Sequence, residues 1–183
     1  MKSAETTASG QIAIIGMASR FPAAPNADAL WTAVSEGRDC LADFPGGRSI
    51  ELDRFYALAG TNQGPPTRRG GFLADFDKFD AAFFQIAPRE AEWMDPQQRV
   101  LLELAWEALE DAGQTVEALK GSKTGVFVGI WTNGYEVHAN LNSSAIDFFS
   151  LTGGPLYAAS SRISHQFDLR GPDISVKIGR AHV

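Results

Sequence analysis

The chain has 183 residues, of which 44% are hydrophobic and 21% charged, with 18 Gly and 9 Pro. That length and apolar share describe one globular domain or part of a larger one, and exclude full disorder. Lys plus Arg number 16 and Asp plus Glu 22, a formal charge of −6, so nothing electrostatic draws the chain to nucleic acid or to an anionic membrane.

The single cysteine, Cys40, cannot make an internal disulfide, which excludes a disulfide-stapled secreted scaffold. No stretch reaches the roughly 20 apolar residues of a membrane span, and Ile12–Met17 is too short for a signal-peptide core. The polar residues 1–10 read as a short leader, and the chain as cytoplasmic.

In chain order the elements read as mixed α/β. Gln11 to Met17 is apolar and β-branched and predicts a buried strand. Asn26 can cap a helix running to about Glu36, with Gly37 as its stop. From Arg38 to about Gly71 the chain is rich in Gly, Pro and polar residues and predicts a long ordered loop, with turn signals at Pro45-Gly46-Gly47 and Gly64-Pro65-Pro66. The clearest helix follows Asp95, a good N-cap. Pro96 stands at the first helical position and Gln98 at the third, where it can reach back to the cap. Leu101, Leu104, Ala105, Ala108 and Ala112 form its predicted apolar face. Glu103, Glu107, Glu110 and Asp111 form the other, and Gly113 ends it. Thr124–Ile130 predicts a second strand. Pro155 opens a helix to about Phe167 whose stripe is Leu156, Ala159, Ile163 and Phe167, and Asp173–Ile178 predicts a third strand. Strands separated by helices imply a layered α/β fold.

Taken one by one, the residues supply no self-sufficient active site. Cys40 follows a helix end beside Asp39 and Asp43, whereas a reactive thiolate needs a helix N-terminus or a cation, so it reads as structural. His138, His165 and His182 fit no metal-ligand spacing, and there is no CxxC, phosphate loop, GxGxxG or GxSxG. Arg68 and Arg69 beside Gly70-Gly71 read as a solvated turn. The carboxylates Asp75, Asp77, Asp80, Glu90, Glu92 and Asp95 single out no acid/base pair, and helix caps account for Asp80 and Asp95. Phe72, Phe76, Phe79, Phe83, Phe84 and Trp93 read as packing for the loop.

Residues 68–113, RRGGFLADFDKFDAAFFQIAPREAEWMDPQQRVLLELAWEALEDAG, closely resemble the amino-terminal half of the β-ketoacyl synthase (ketosynthase) domain of polyketide synthases and multifunctional fatty acid synthases. IAIIGMASRFP at Ile12–Pro22, LWTAVSEGRD at Leu30–Asp39, TGVFVGI at Thr124–Ile130 and SRISHQFDLRGP at Ser161–Pro172 extend the likeness to about residues 11–176. The resemblance implies a thiolase-like αβαβα fold of two similar halves, only the first of them here, and a homodimer. It implies decarboxylative Claisen condensation of an acyl thioester with a malonyl-type extender on acyl carrier protein, the substrates riding on phosphopantetheine with no cofactor bound directly. It also implies a cysteine nucleophile just after the strand at 173–176 and two histidines much further along. Where the family continues Asp-Thr-Ala-Cys-Ser-Ser, this chain reads Lys177-Ile178-Gly179-Arg180-Ala181-His182-Val183, with Arg180 at the nucleophile's position. Residues 177–183 therefore read as an aberrant tail on a truncated domain, left by a frameshift, a premature stop or a faulty gene-end reconstruction. No catalytic, cofactor or metal residue is carried over, and the chain alone is expected to be inactive. The alternative is a non-catalytic partner that pairs with a full-length synthase. Half of a two-half fold should also leave apolar faces uncovered.

Overall fold

A computed structural model describes residues 12–45, 69–131 and 153–178. In order these form α1 (Ala27–Ser35), β1 (Ala42–Asp43), β2 (Arg69–Gly70), α2 (Pro88–Trp93), α3 (Pro96–Asp111), α4 (Val116–Leu119), β3 (Val126–Ile130), α5 (Ala158–Gln166) and β4 (Asp173–Lys177).

β3 and β4 pair in parallel, Val126 opposite Asp173 through Ile130 opposite Lys177, and the Ile178 amide extends the ladder to the Ile130 carbonyl. A parallel pair needs a crossover, and α5 supplies it. The strand residues alternate. Val126, Val128 and Ile130 are buried with Ala159, Ile163 and Phe167 of the α5 segment and Leu102 of α3, so the core is a stack of sheet, α5 and α3. Met94 and Phe84 close its end, and Phe79 stacks on Phe84. Trp106 meets Phe83 edge to face and lies tilted against Phe167, so the predicted aromatic packing is present.

α1 begins where Asn26 accepts from the Ala29 amide, as its sequence predicts. α3 begins at Asp95, whose carboxylate accepts from the Gln97 amide at 2.8 Å, and Gly113 follows its cap with φ +63°. Two expectations for α3 are corrected. Leu102, outside the predicted apolar face, is the fully buried leucine, because the helix is covered on more than one side. The acidic face is also engaged: Arg20 forms ion pairs with both Glu103 and Glu107, and Asp111 accepts from the Met17 amide. Those contacts lay residues 16–20 along the second half of α3. A Cβ on Gly16 would collide with the Ala108 carbonyl and Ala112, so only glycine allows this approach.

The expected strand at 11–17 is not formed over residues 12–17, which have no ladder partner among the described residues. Ile12, Ile14, Ile15 and Met17 are exposed, Ile12 to 94%. The apolar run satisfies strand propensity, but a strand also needs a neighbour for its backbone groups. The helix expected from Pro155 begins at Ala158, after a turn in which the Ala158 and Ala159 amides donate to the Pro155 and Leu156 carbonyls.

The predicted 38–71 loop is described only at its ends, where β1 and β2 pair antiparallel; Gly46-Gly47 and the turn at 64–66 lie outside the described residues. Asp39 holds these ends. It accepts from the Leu41 amide and from Arg69, and these two bonds hold its carboxyl below the ordinary carboxylate range. A lowered folded-state pKa gives a contribution present above the unfolded value and lost as pH falls through the folded one. Acidification through the folded-state pKa of Asp39 should therefore lower the protection factor of the Leu41 amide, while Asp39→Asn should make that protection factor independent of pH across that range. A Leu41 protection factor that stays level through acidification of the native sequence would contradict this.

Leu102→Ala should lower stability by about 2–5 kcal/mol, the usual effect of emptying a fully buried leucine site. Urea unfolding followed by tryptophan fluorescence measures this, and an unchanged midpoint would show that the α3–α5–sheet stack is not the core.

Candidate functional site

Three pieces of chain converge on one cavity: the carboxyl end of β3, the start of α3 and the 71–76 segment. In open α/β sheets ligands are held at the carboxyl ends of the strands. The cavity, of about 440 Å³, is lined by Phe72, Leu73, Phe76, Pro96, Val100, Leu101 and Ile130, with Gln97 the polar side chain on its wall. Its surface is apolar and suits a hydrocarbon chain.

Beneath the wall lies a buried polar network centred on Gln98. Gln98 is 1% exposed. Its Nε2 donates to the Gly153 carbonyl at 3.0 Å and the Pro155 carbonyl at 3.1 Å. Its Oε1 accepts from Arg162 Nε at 3.0 Å, and Arg162 in turn pairs with Glu90 at 2.6 Å. The Asp95 amide also donates to the Gly153 carbonyl. Gly153 lies so close to the α2–α3 junction that a Cβ would overlap the Trp93 carbonyl. Gln98 thus reaches across to the α5 segment and does not fold back to its own cap, correcting the expected capping box. Two backbone carbonyls and a guanidinium, all turned inward, offer more to its amide than the Asp95 backbone does.

The far side of α5 is tied to β4. Ser160, 1% exposed, donates its amide to Ser175 Oγ at 3.1 Å, and the two hydroxyls lie 2.9 Å apart. Ser175 Oγ donates to the Tyr157 carbonyl at 3.2 Å.

Most of the other candidate residues serve the fold. Cys40 is half-buried, and its Sγ donates to the Arg38 carbonyl at 3.7 Å, outside the cavity described above. His165 is exposed in the last turn of α5; His138 and His182 lie outside the described residues, as do Arg68 and Arg180. Arg69 is engaged by Asp39 and the Leu41 carbonyl, in keeping with a structural turn. Asp75 pairs with Lys78, Asp80 accepts from the Phe83 amide within a turn, Glu90 holds Arg162 and Asp95 caps α3. Among the described residues no group of three His, Cys, Asp or Glu could hold a metal, and no helix is long and apolar enough to cross a membrane. Sequence reasoning missed the roles of Gln98 and Ser175. A signal for the first was present: Gln98 stands one helical turn before Leu102, on the same face.

Gln98→Ala would leave two carbonyls and Arg162 short of a partner. It should cost about 1–3 kcal/mol, read by urea unfolding. A loss below half a kilocalorie would show that these groups find other partners.

The profile described as "Beta-ketoacyl synthase, N-terminal domain" matches residues 9–177. The mycoketide-CoA synthase of Mycobacterium tuberculosis is 44% identical over 93% of this chain, and polyketide synthase GfsE of Streptomyces halstedii 41% identical over 94%. The chain spans only 4% and 5% of those two relatives. Among solved structures, the ketosynthase from module 6 of the bacillaene synthase of Bacillus subtilis matches with a TM-score of 0.73 and 34% identity, over 90% of this chain and 26% of that one. The oxazolomycin ketosynthase domain OzmH KS7 of Streptomyces albus matches equally well, over 28% of its chain. With its sheet, crossover helix and core laid out as in those domains, the chain has the amino-terminal part of their layered thiolase-like α/β fold and belongs to the β-ketoacyl synthase family.

Proposed function

We propose that this chain is the scaffold half of a polyketide-type condensing enzyme. It builds one wall of the acyl site and does not carry out the condensation alone. The observation that supports this most is the family match across residues 9–177, on a chain whose one cysteine lies at position 40. Decarboxylative Claisen condensation needs a thiolate to take the acyl group from an acyl carrier protein thioester. It then needs donors that stabilise the oxyanion as carbon dioxide leaves the malonyl-type extender. Cys40 is a poor candidate for that nucleophile: it follows the carboxyl end of α1, and its Sγ donates to the Arg38 carbonyl.

On this reading residues 11–176 are the domain half, with 1–10 a leader and 177–183 a departing tail, although the profile match runs slightly further, over 9–177. The apolar cavity beside α3 receives the hydrocarbon part of the acyl chain. Acyl carrier protein is the delivering partner, the assembled enzyme is a cytoplasmic homodimer, and no cofactor or metal is bound directly. A second reading, a non-catalytic partner of a full-length synthase, draws on the open face of the β3–β4 pair, where Phe127, Ile174 and Val176 are exposed.

Incubating the purified chain with acyl- and malonyl-acyl carrier protein thioesters should give no 3-ketoacyl product by mass spectrometry. Product formation would overturn the scaffold reading. Co-purification with an intact ketosynthase, in a complex of fixed stoichiometry, would favour the second.

A further inference from the structure

We infer that Ser175 is a positioning residue: it caps α5 from the neighbouring strand and thereby fixes where the chain leaves β4 beside the apolar cavity. The inference rests on the reading above, in which this half supplies one wall of the acyl site.

The start of α5 has no local side-chain cap. The residue at its cap position is Tyr157, in a right-handed helical conformation, and its side chain makes no capping bond. A helix leaves its first amides without internal partners. The turn at 155–157 satisfies those of Ala158 and Ala159 through the Pro155 and Leu156 carbonyls. The amide of Ser160, the third helical residue, is left. An N-cap side chain ordinarily accepts from that position, and here the acceptor is Ser175 Oγ, fifteen residues further along the chain.

The hydroxyl is fully employed. Ser175 Oγ donates its one proton to the Tyr157 carbonyl and accepts from the Ser160 amide and the Ser160 hydroxyl. Ser175 is the middle residue of β4 and pairs in register with the buried Val128. A strand gripped at its centre by a helix end cannot slide along its neighbour without breaking these bonds. The same helix is held to the cavity wall, since Arg162 binds Gln98 and the Gln98 amide binds the turn that precedes α5. Gln98, α5 and Ser175 thus join the start of α3 to the exit of β4, three residues beyond Ser175.

The test is hydrogen exchange of the whole chain carrying Ser175→Ala, with Ser175→Thr as the conservative variant. Ser175→Ala should speed exchange of the Ser160 amide and of the Val176 and Ile178 amides, which face β3, about tenfold, the size of one lost cap. The amides in the middle of α3 should keep their rates. Ser175→Thr keeps the hydroxyl and should restore protection at those three amides. A purely structural contribution would raise exchange throughout the core in step with global stability, and would overturn the positioning role. Unchanged exchange at Ser160, Val176 and Ile178 would overturn it too. The measurement needs no condensation, so its failure leaves the family reading standing. Conversely, product formation by the chain alone would leave the clamp intact.

Discussion

One buried amide side chain connects the parts of this molecule that matter for its site. Gln98 lies on α3 under the cavity wall, and every polar atom of its amide is bonded to the α5 segment. A buried amide without partners costs more than an apolar residue in the same place, so Gln98 is tolerable only when Gly153, Pro155 and Arg162 are all correctly placed. That requirement fixes the separation and the roll of α3 against α5. Glu90 adds a charge partner to Arg162 and draws α2 into the same arrangement. The apolar stack of Leu102, Ile163 and Val128 supplies the greater part of the driving force, but such contacts tolerate sliding. Directional bonds at Gln98 and Ser175 remove that freedom.

The parts legible in the sequence are those whose causes are local. Asp95-Pro96 starts α3 because the cap and the missing proline amide act within one turn. β3 and β4 follow from their β-branched runs, and the Ala159–Ile163–Phe167 stripe from helical spacing. The illegible parts depend on what arrives from elsewhere. Ile12–Met17 has the composition of a strand, yet a ladder needs a second chain segment, and none of the described residues provides it. Gln98 looked like a capping residue because its local alternative was chemically sound; its true partners lie 55 and more residues away. Leu102 was passed over because the choice of buried face depends on which neighbours pack against the helix. Tyr157 held a usable clue, since a helix whose cap residue offers no nearby acceptor must find one elsewhere.

The site itself was legible only through family likeness. Nothing in the spacing of its carboxylates, histidines or cysteine marks catalysis, and the structure disperses or commits those it describes. What remains at the carboxyl end of β3 is shape and apolar surface. The face bearing Phe127, Ile174 and Val176 is exposed among the described residues, whereas parallel strands are normally covered on both sides.

The central claim is that the start of α3 and the exit of β4 are held as one unit through α5. A double-mutant cycle between Gln98→Ala and Ser175→Ala, read by urea unfolding, tests it most directly. The two side chains do not bond to each other, so coupling between them has to pass through α5. A coupling energy of about 0.5–3 kcal/mol is predicted. Losses that add to within measurement error would show two independent contacts and contradict the account.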